Sequence, residues 1–386
     1  MIREGVPVIS MIGMALVFGI MTVPNESERR HDPDRTVIAV SGGGYFPVLT
    51  RLKDGRLAAV LRGGAPHLGR AGRLDWIESG DGGRSWSAPR AIVDGPEDDR
   101  NPAFGQMADG SLVLAYAECT CYNPDGSWNT ATGAFSLFYR ISRDGGRTWS
   151  AKRRLYAGPI GRVGSPFGRI VTLEDGTALM SVYGLVDPDY RGPDRPSPGA
   201  GEWVAGVVRS RDNGETWSDW SLISAASHNE TTLLPLGRGR ILAALRTGTG
   251  QVDICSSEDG GRTWSRPQRV TGGSDGSLAE HPADLVSLGG RRILMVVGRR
   301  HPPYGIMALL SEDAGRSWNS RSERILAGTS MNNDCGYPSA VRLKDGVIVC
   351  LYYSVGTTDL PDTVQAIALR LSEKGLFGPL GREQRQ

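Results

Sequence analysis

The stretch SRDGGRTWS at residues 142–150 recurs four more times along the chain with small changes. The other copies are SGDGGRSWS (79–87), SRDNGETWS (210–218), SEDGGRTWS (257–265) and SEDAGRSWN (311–319). A nine-residue phrase used five times predicts a repeated structural unit rather than five catalytic centres. In each copy the Asp can accept backbone N–H bonds, the Gly can take a positive φ, and the Trp can pack beneath the turn.

Six hairpin patterns lie between and around these turns. Each has an apolar strand, a turn and a second apolar strand rich in Val, Leu and Ile. They cover 51–61, 106–116, 172–183, 235–245, 287–297 and 342–352. Six hairpins and five tryptophan turns predict an all-β fold, a six-bladed β-propeller with four strands, A to D, in each blade. The nine-residue turns, called Asp-box turns below, join strands C and D of five blades.

The first and last strands of the predicted propeller are expected to belong to the same blade. The sixth hairpin is followed by TVQAIALRL at 363–371, and no tryptophan turn comes after it. We expect RTVIAVSG, near 35–42, to supply the missing fourth strand from the other end of the chain, which removes an open sheet edge. The propeller is therefore predicted over 35–374, with a tail at 375–386.

Residues 1–34 have a different composition. Arg3 precedes an apolar run from Val6 to Val23, and a polar stretch follows. This pattern predicts an export signal or a membrane anchor at 6–23, with a polar linker after it. We expect the protein to be exported, into the periplasm or the medium, or anchored to the membrane by this segment.

The balance of basic and acidic residues bears on whether the protein binds nucleic acid. The chain has 44 basic and 42 acidic residues, a formal net charge of +2, and no basic run stands out. This composition gives no indication of a nucleic-acid partner. No metal or other cofactor is expected for the chemistry considered below.

One face of the predicted propeller collects polar side chains. Because strands A and B of a blade are antiparallel, the start of A and the end of B lie at the same face. Several guanidiniums at one mouth indicate an anionic ligand, most simply a carboxylate. The candidate binding residues are Arg62, Arg100, Arg246, Arg299, Arg300, His281 and Asp284, and the candidate catalytic residues are Tyr337, Glu230, His67 and Asp99.

Five Asp boxes on six predicted blades resemble the sialidase (neuraminidase) superfamily over roughly residues 36–372. The resemblance implies a tyrosine nucleophile activated by a glutamate, three arginines on the sugar carboxylate and an aspartate acid/base. HNETTLLPLGRGRILAALR at 228–246 is similar to the segment that supplies the glutamate and one arginine, which implies those roles for Glu230 and Arg246. DCGYPSAVRLKDGVIVCLYY at 334–353 is similar to the nucleophile segment and implies Tyr337.

The first half of the chain departs from that pattern. The stretch YFP stands where the superfamily has RIP, so Tyr45 occupies the place of the first arginine. Arg299 and Arg300 are only approximate counterparts of the third arginine. Arg62, Arg70 or Arg100 can restore carboxylate binding from another position, or the substrate differs from an ordinary sialoside.

The loop expected to carry the acid/base also departs from the pattern. Its only carboxylate is Asp75, which lies inside the next predicted strand. His67 is the other proton carrier in that loop, since an imidazole can serve as acid or base near neutral pH. Asp98 and Asp99 of the next blade are its rivals.

Three functions fit this pattern. The first is an exo-acting, retaining glycoside hydrolase on an acidic sugar, with sialic acid as the default. The second is a polysaccharide lyase on uronic-acid polymers, in which a Tyr or His removes a proton and an Arg neutralises the carboxylate. The third is a non-catalytic propeller that binds glycans. All three predict an acidic glycan or glycoconjugate as the partner.

Overall fold

The computed structural model describes residues 36–197, 203–270 and 282–377. The predicted segment at 6–23, His281 and the end of the predicted tail lie outside the described residues. Within the three described ranges, no helix has both the length and the apolar character needed to cross a lipid bilayer.

Apart from one short helix, all the regular elements of the described chain are β-strands, as the sequence predicts. In chain order the elements are β1 (Thr36–Ser41), β2 (Tyr45–Arg51), β3 (Leu57–Gly63), β4 (Arg73–Ser79), β5 (Arg90–Val93), β6 (Asp98–Gln106), β7 (Leu112–Cys119), β8 (Phe135–Ser142), β9 (Arg153–Arg154), β10 (Ile160–Thr172), β11 (Ala178–Val186), β12 (Val204–Ser210), β13 (Ser218–Ser224), β14 (His228–Gly237), β15 (Arg240–Thr247), β16 (Val252–Ser257), β17 (Gln268–Arg269), β18 (Ala283–Gly289), β19 (Arg292–Arg299), β20 (Tyr304–Ser311), β21 (Asn319–Ser330), β22 (Cys335–Arg342), β23 (Ile348–Val355), β24 (Val364–Leu371) and α1 (Glu373–Phe377).

The strands form a propeller-like arrangement of sheets. Four sheets have four strands each, in the orders β2-β3-β4-β5, β14-β15-β16-β17, β18-β19-β20-β21 and β22-β23-β24-β1. The strands β6 to β13 form one eight-stranded sheet. The first strand of each predicted blade lies innermost, and the inner strands β2, β6, β10, β14, β18 and β22 contact one another in a closed ring.

The eight-stranded sheet differs from the six separate blades that the sequence predicts. Its two antiparallel halves meet where Gly168 and Arg169 of β10 pair in parallel with Ala103 and Phe104 of β6. Gly105 permits this close approach, because a Cβ at that position would lie 2.2 Å from the carbonyl oxygen of Ile170. The prediction of separate blades therefore holds for four sheets, and the second and third predicted blades share one sheet.

The chain ends pair as expected. β1 runs antiparallel to β24, with Thr36 opposite Leu369 and Ser41 opposite Gln365. The sheet of the last hairpin therefore takes its outer strand from the beginning of the described chain. This pairing covers an edge that would otherwise be open.

The repeated turns have the predicted hydrogen bonds. In the copy at 142–150, Asp144 accepts bonds from the backbone N–H of Thr148 (2.9 Å) and from its hydroxyl (2.6 Å). Gly146 N–H donates to the hydroxyl of Ser142 (2.9 Å). The same bonds recur in the other four copies. The five tryptophans pack against apolar core clusters, so each turn is attached to the core.

Candidate active site

The predicted rim exists, because each inner strand begins opposite the end of its hairpin partner. Tyr45 pairs with Arg62, Asp99 with Glu118, and Gly336 with Tyr353. The same relation holds for Ser165 with Tyr183 and for His228 with Thr247. Residues from distant parts of the chain therefore reach one face of the molecule.

Tyr337 lies at an irregular point of β22. The pairing of β22 with β23 shifts register between Gly336 and Ser339, and Tyr337 has a φ of 48°. This left-handed conformation is uncommon for residues other than glycine and costs free energy of the order of 1 kcal/mol. The surrounding packing must therefore hold the backbone of Tyr337 in place. Such strain is often found where a side chain has a functional orientation.

The phenol of Tyr337 is bound to a carboxylate and a guanidinium. Its oxygen lies 2.6 Å from Oε1 of Glu230 and 2.9 Å from Nη1 of Arg246. The same Nη1 lies 2.5 Å from Oε2 of Glu230. Since Arg246 can only donate, the phenol accepts a hydrogen bond from Arg246 and donates one to Glu230. The three residues form a closed hydrogen-bonded triangle.

The electrostatics of this triangle keep the phenol neutral. Burial raises the pKa of Tyr337 well above its usual value, and the negative charge of Glu230 raises it further. The nearby guanidiniums of Arg246 and Arg300 offset only part of this effect. A neutral phenol next to a carboxylate can attack as a nucleophile while the carboxylate takes its proton.

Arg299 and Arg300 have different environments although they are adjacent. The guanidinium of Arg299 donates to the carbonyl oxygens of Pro302 (2.8 Å) and Pro303 (3.1 Å), so it holds a loop. The positive charge of Arg300 lowers the pKa values of Tyr337 and Asp334, so its guanidinium lies in the neighbourhood of both side chains. Its Nε is buried and has no hydrogen-bond partner among the described residues. Arg300 is thus the member of the pair that can meet an anion.

His67 reaches the same site from the loop after β3. Its Nδ1 lies 2.8 Å from Oδ1 of Asp334, and the hydroxyl of Tyr353 donates to the same oxygen at 2.7 Å. The imidazole packs edge-on against Phe46, with ring centroids 4.9 Å apart. Phe46 in turn lies 4.9 Å from the ring of Tyr337. His67 and Tyr337 therefore share an aromatic neighbour.

The guanidinium of Arg62 does not face the rim where the candidate site lies. It is completely buried, and it donates to Asp98 through Nε (3.0 Å) and Nη2 (2.6 Å). Its remaining bonds go to the carbonyl oxygens of Ala65, Pro66 and Gly69 in its own loop. These contacts give Arg62 a structural function, and we leave it out of the substrate-binding set.

Arg100 shares the buried carboxylate of Asp98. Its Nη1 lies 3.1 Å from Oδ2 of Asp98, and only 5% of the residue is exposed. Its guanidinium stacks on the ring of Trp128 at 4.9 Å and lies 5.9 Å from the ring of Phe46. Arg100 therefore connects Trp128, in the loop between β7 and β8, with Phe46 beside Tyr337.

Asp99 points away from the triangle. Successive side chains of a strand face opposite sides, and its neighbour Asp98 faces Arg62 and Arg100. Asp99 is fully buried, accepts one bond from the N–H of Gly95 (2.7 Å) and lies opposite Glu118. Burial raises the pKa of Asp99 to about 6, with the charges of Glu118 and Asp98 adding to it. No described contact joins it to Tyr337.

The carboxylate of Asp284 forms an ion pair with an arginine that the sequence did not indicate. Arg169 of β10 binds both of its carboxylate oxygens, at 2.5 and 2.7 Å, and also donates to the carbonyl oxygen of Ala340 (2.8 Å). A cavity of about 20 Å³, close to the space for one water molecule, is lined by this pair together with Glu230 and Tyr337. Asp284 therefore stabilises the ring of inner strands.

Several residues of the site were not among the candidates from the sequence. They are Asp334, Tyr353, Arg169 and Phe46. Asp334 heads the same strand as Tyr337, which is the only signal that the sequence offers for it. The others are recognisable only through partners that lie far away in the chain.

Comparisons with known proteins give a family match and a related sequence. Residues 81–350 match the family described as BNR repeat-like domain. A sialidase of Paraclostridium sordellii is 21% identical over 300 residues, which cover 68% of this chain and 70% of that protein.

Two solved structures share the fold. A Dyadobacter fermentans protein of unknown function has a TM-score of 0.71 and 22% identity, over 87% of this chain and 98% of that one. The Hadza microbial sialidase Hz136 has a TM-score of 0.64 and 18% identity, over 87% of this chain and 66% of that one. At these identities the structures show a shared fold and do not assign an activity.

Proposed function

We propose that this chain, which belongs to the BNR repeat-like domain family and to the sialidase superfamily, is a glycoside hydrolase that removes an acidic sugar from the end of a glycan. In this proposal the reaction is exo-acting and retaining, and sialic acid is the default substrate. We count the eight-stranded sheet as two blades joined at their inner strands, so that the molecule is a six-bladed propeller.

The hydrogen-bonded triangle of Tyr337, Glu230 and Arg246 carries the proposal. An anomeric carbon that bears a carboxylate repels an anionic nucleophile, whereas a neutral phenol can approach it. Glu230 lies at hydrogen-bond distance from the phenol and can take its proton during attack. Arg246 holds the carboxylate of Glu230 and the phenol in register.

Arg300 and Arg246 support the recognition of an acidic sugar. A buried guanidinium nitrogen without a partner, as in Arg300, is free to donate to a carboxylate oxygen. Arg100 adds a third positive charge, stacked between Phe46 and Trp128. The place of the superfamily's first arginine is taken by Tyr45, which is buried. The carboxylate is therefore bound by a different set of arginines in this chain.

The mechanism in this proposal has two displacements. The phenol oxygen of Tyr337 attacks the anomeric carbon, its proton passes to Glu230, and the bond to the leaving oxygen breaks as that oxygen gains a proton. Water then attacks the same carbon and gives one proton to the group that protonated the leaving oxygen, the bond to Tyr337 breaks, and Glu230 returns its proton to the phenol oxygen. Two inversions at one carbon give net retention.

Turnover of an aryl glycoside of N-acetylneuraminic acid tests the proposal, with release of the aryl alcohol and NMR of the first-formed anomer as readouts. We expect hydrolysis with retention. Release of an unsaturated sugar that absorbs in the ultraviolet from a uronic-acid polysaccharide, assayed in parallel, would instead identify a lyase. Binding of acidic sugars without any turnover would identify a non-catalytic glycan-binding propeller.

The proposed substrate agrees with the location predicted from residues 6–23. Acidic glycans are displayed on cell surfaces and secreted glycoconjugates, so an exported or membrane-anchored hydrolase would meet them. This location remains a prediction from the sequence.

A further inference from the structure

The contact between His67 and Asp334 joins two segments that are 267 residues apart in the chain. From it we infer that His67 is the proton donor to the leaving oxygen and that Asp334 is its positioning residue. The inference rests on the proposed hydrolase function and adds to it the identity of the acid/base pair. An imidazole oriented by a carboxylate would then replace the aspartate that the superfamily pattern implies.

The position of the pair fits this task. Asp334 comes three residues before Tyr337, at the head of the strand that carries the nucleophile. His67 and Tyr337 both pack against Phe46, each with its ring centroid 4.9 Å from that of Phe46. About a third of the His67 side chain is exposed, and so is about a third of the Asp334 side chain, so a substrate can reach them. The rival carboxylate, Asp99, is fully buried and has no such access.

The contact also determines which ring nitrogen carries which proton. Burial raises the pKa of Asp334, but the hydrogen bonds from His67 and Tyr353 outweigh it, so that this pKa lies below its usual value. Asp334 is therefore ionised above acidic pH and can only accept hydrogen bonds. Nδ1 of His67 must donate to it, which leaves Nε2 as the nitrogen that exchanges a proton with the substrate.

Asp334 is itself held in place. The hydroxyl of Tyr353 donates to its Oδ1 at 2.7 Å, and its backbone N–H donates to Oδ1 of Asn332 at 2.8 Å. Tyr353 is fully buried and lies opposite Gly336 in the same hairpin. The carboxylate thus has a fixed position, and it fixes the imidazole in turn.

The proton balance follows from this arrangement. As the phenol oxygen of Tyr337 attacks, the Nε2–H of cationic His67 protonates the departing glycosidic oxygen, and the ring becomes neutral with its Nδ1–H still bound to Asp334. In the second displacement, neutral Nε2 takes one proton from the attacking water, and the other stays on the released sugar. His67 is then cationic again, and no other reactant is required.

Leaving-group dependence separates proton donation from a structural role. A nitrophenyl leaving group departs without protonation, whereas an alkyl or sugar alcohol requires it. We expect Asp334→Asn and His67→Gln to lower kcat/KM for an alkyl glycoside of the acidic sugar about 100-fold, and for the nitrophenyl glycoside less than about 5-fold. Asp219→Asn, which removes a carboxylate paired with Arg211 away from the site, is the matched control and should change neither value.

The outcomes distinguish the pair from the underlying function. Equal losses on both substrates, or no loss on either, would overturn the assignment of the pair while leaving the hydrolase in place. Absence of wild-type turnover on both substrates would overturn the hydrolase and the pair together. Nitrogen-15 NMR of the wild-type imidazole gives a result that does not depend on variant folding: neutral His67 should carry its proton on Nδ1, and a proton on Nε2 instead would contradict the inference.

Discussion

The phenol oxygen of Tyr337 lies 2.6 Å from Oε1 of Glu230, although the two residues are 107 positions apart in the chain. If Glu230 is the base for this phenol, Glu230→Gln should lower kcat on an aryl glycoside of an acidic sugar at least about 100-fold, since an amide cannot take the proton. Steady-state kinetics and a thermal unfolding curve measure activity and folding together. Glu174→Gln, on an exposed glutamate that binds the backbone of Arg238, is the control and should retain full activity.

Removing the nucleophile should separate catalysis from binding. We expect Tyr337→Phe to lower turnover at least about 1,000-fold, because the attacking oxygen is absent. The Glu230–Arg246 ion pair does not involve the lost atom, so affinity for the free acidic sugar, measured by calorimetry, should change less than about threefold. A variant that retained turnover would exclude Tyr337 as the nucleophile.

Asp98 should be a determinant of stability. It is fully buried between the guanidiniums of Arg62 and Arg100 and also accepts a bond from the hydroxyl of Tyr122 (2.6 Å). Asp98→Ala would leave buried positive charge without its partner, so the free energy of unfolding should fall by about 3–5 kcal/mol. Urea unfolding at pH 7 measures this.

The matched control for Asp98 is an exposed ion pair. Asp54→Ala removes a carboxylate that binds Arg56 on the surface. Its effect on the free energy of unfolding should stay below about 1 kcal/mol. A similar small effect at Asp98 would contradict the interpretation of the buried cluster.

Asp99 should make stability depend on pH. Its pKa is raised from 3.8 to about 6, so the folded state favours the neutral carboxyl, and this contribution to stability is lost as pH rises through 6. Asp99→Asn should therefore match the wild type near pH 4 and exceed its free energy of unfolding by up to about 3 kcal/mol at pH 8. Denaturant unfolding across this range measures the difference. The exposed Asp189→Asn should show no such trend.

The Asp-box carboxylates should give stability the opposite pH dependence: their contribution should be lost as pH falls. Burial raises the pKa of Asp259, but hydrogen bonds from Thr263 and Ser257 outweigh it and hold the pKa at about 2. Its contribution to stability is present above pH 4 and is lost as pH falls through 2. We expect Asp259→Asn to lower the free energy of unfolding by about 1 kcal/mol at pH 7, since the carboxylate is solvent-screened. The difference should vanish near pH 2 while kcat stays unchanged.

The fold was largely predictable because its signals are local. Each nine-residue turn contains its own donors and acceptors, as the bonds between Asp144 and Thr148 show. Hairpins and strand alternation are local patterns too. The joining of β6 and β10 was not predictable, because it depends on how closely Gly105 and Ile170 approach in the assembled ring.

The site was predictable only in its second half. Glu230 lies near the start of β14 and Arg246 near the end of β15. The antiparallel pairing of these two strands alone therefore brings both residues to the same rim. The sequence could not distinguish Arg62 from Arg300, because whether a guanidinium is free depends on carbonyl groups and carboxylates elsewhere in the fold. Asp334 lacked a role in the sequence since its partner His67 belongs to another sheet.

The pairing of β1 with β24 makes the ring a circle whose seam is held by hydrogen bonds instead of by the polypeptide. Thr36 and Leu369 are neighbours across this seam, so a short linker from the end of β24 to Thr36 would make the circle covalent. New ends could then open at an outlying turn such as the one at Gly346. A circular permutant of this kind would keep all the groups around Tyr337 while changing the place in the ring where unfolding begins.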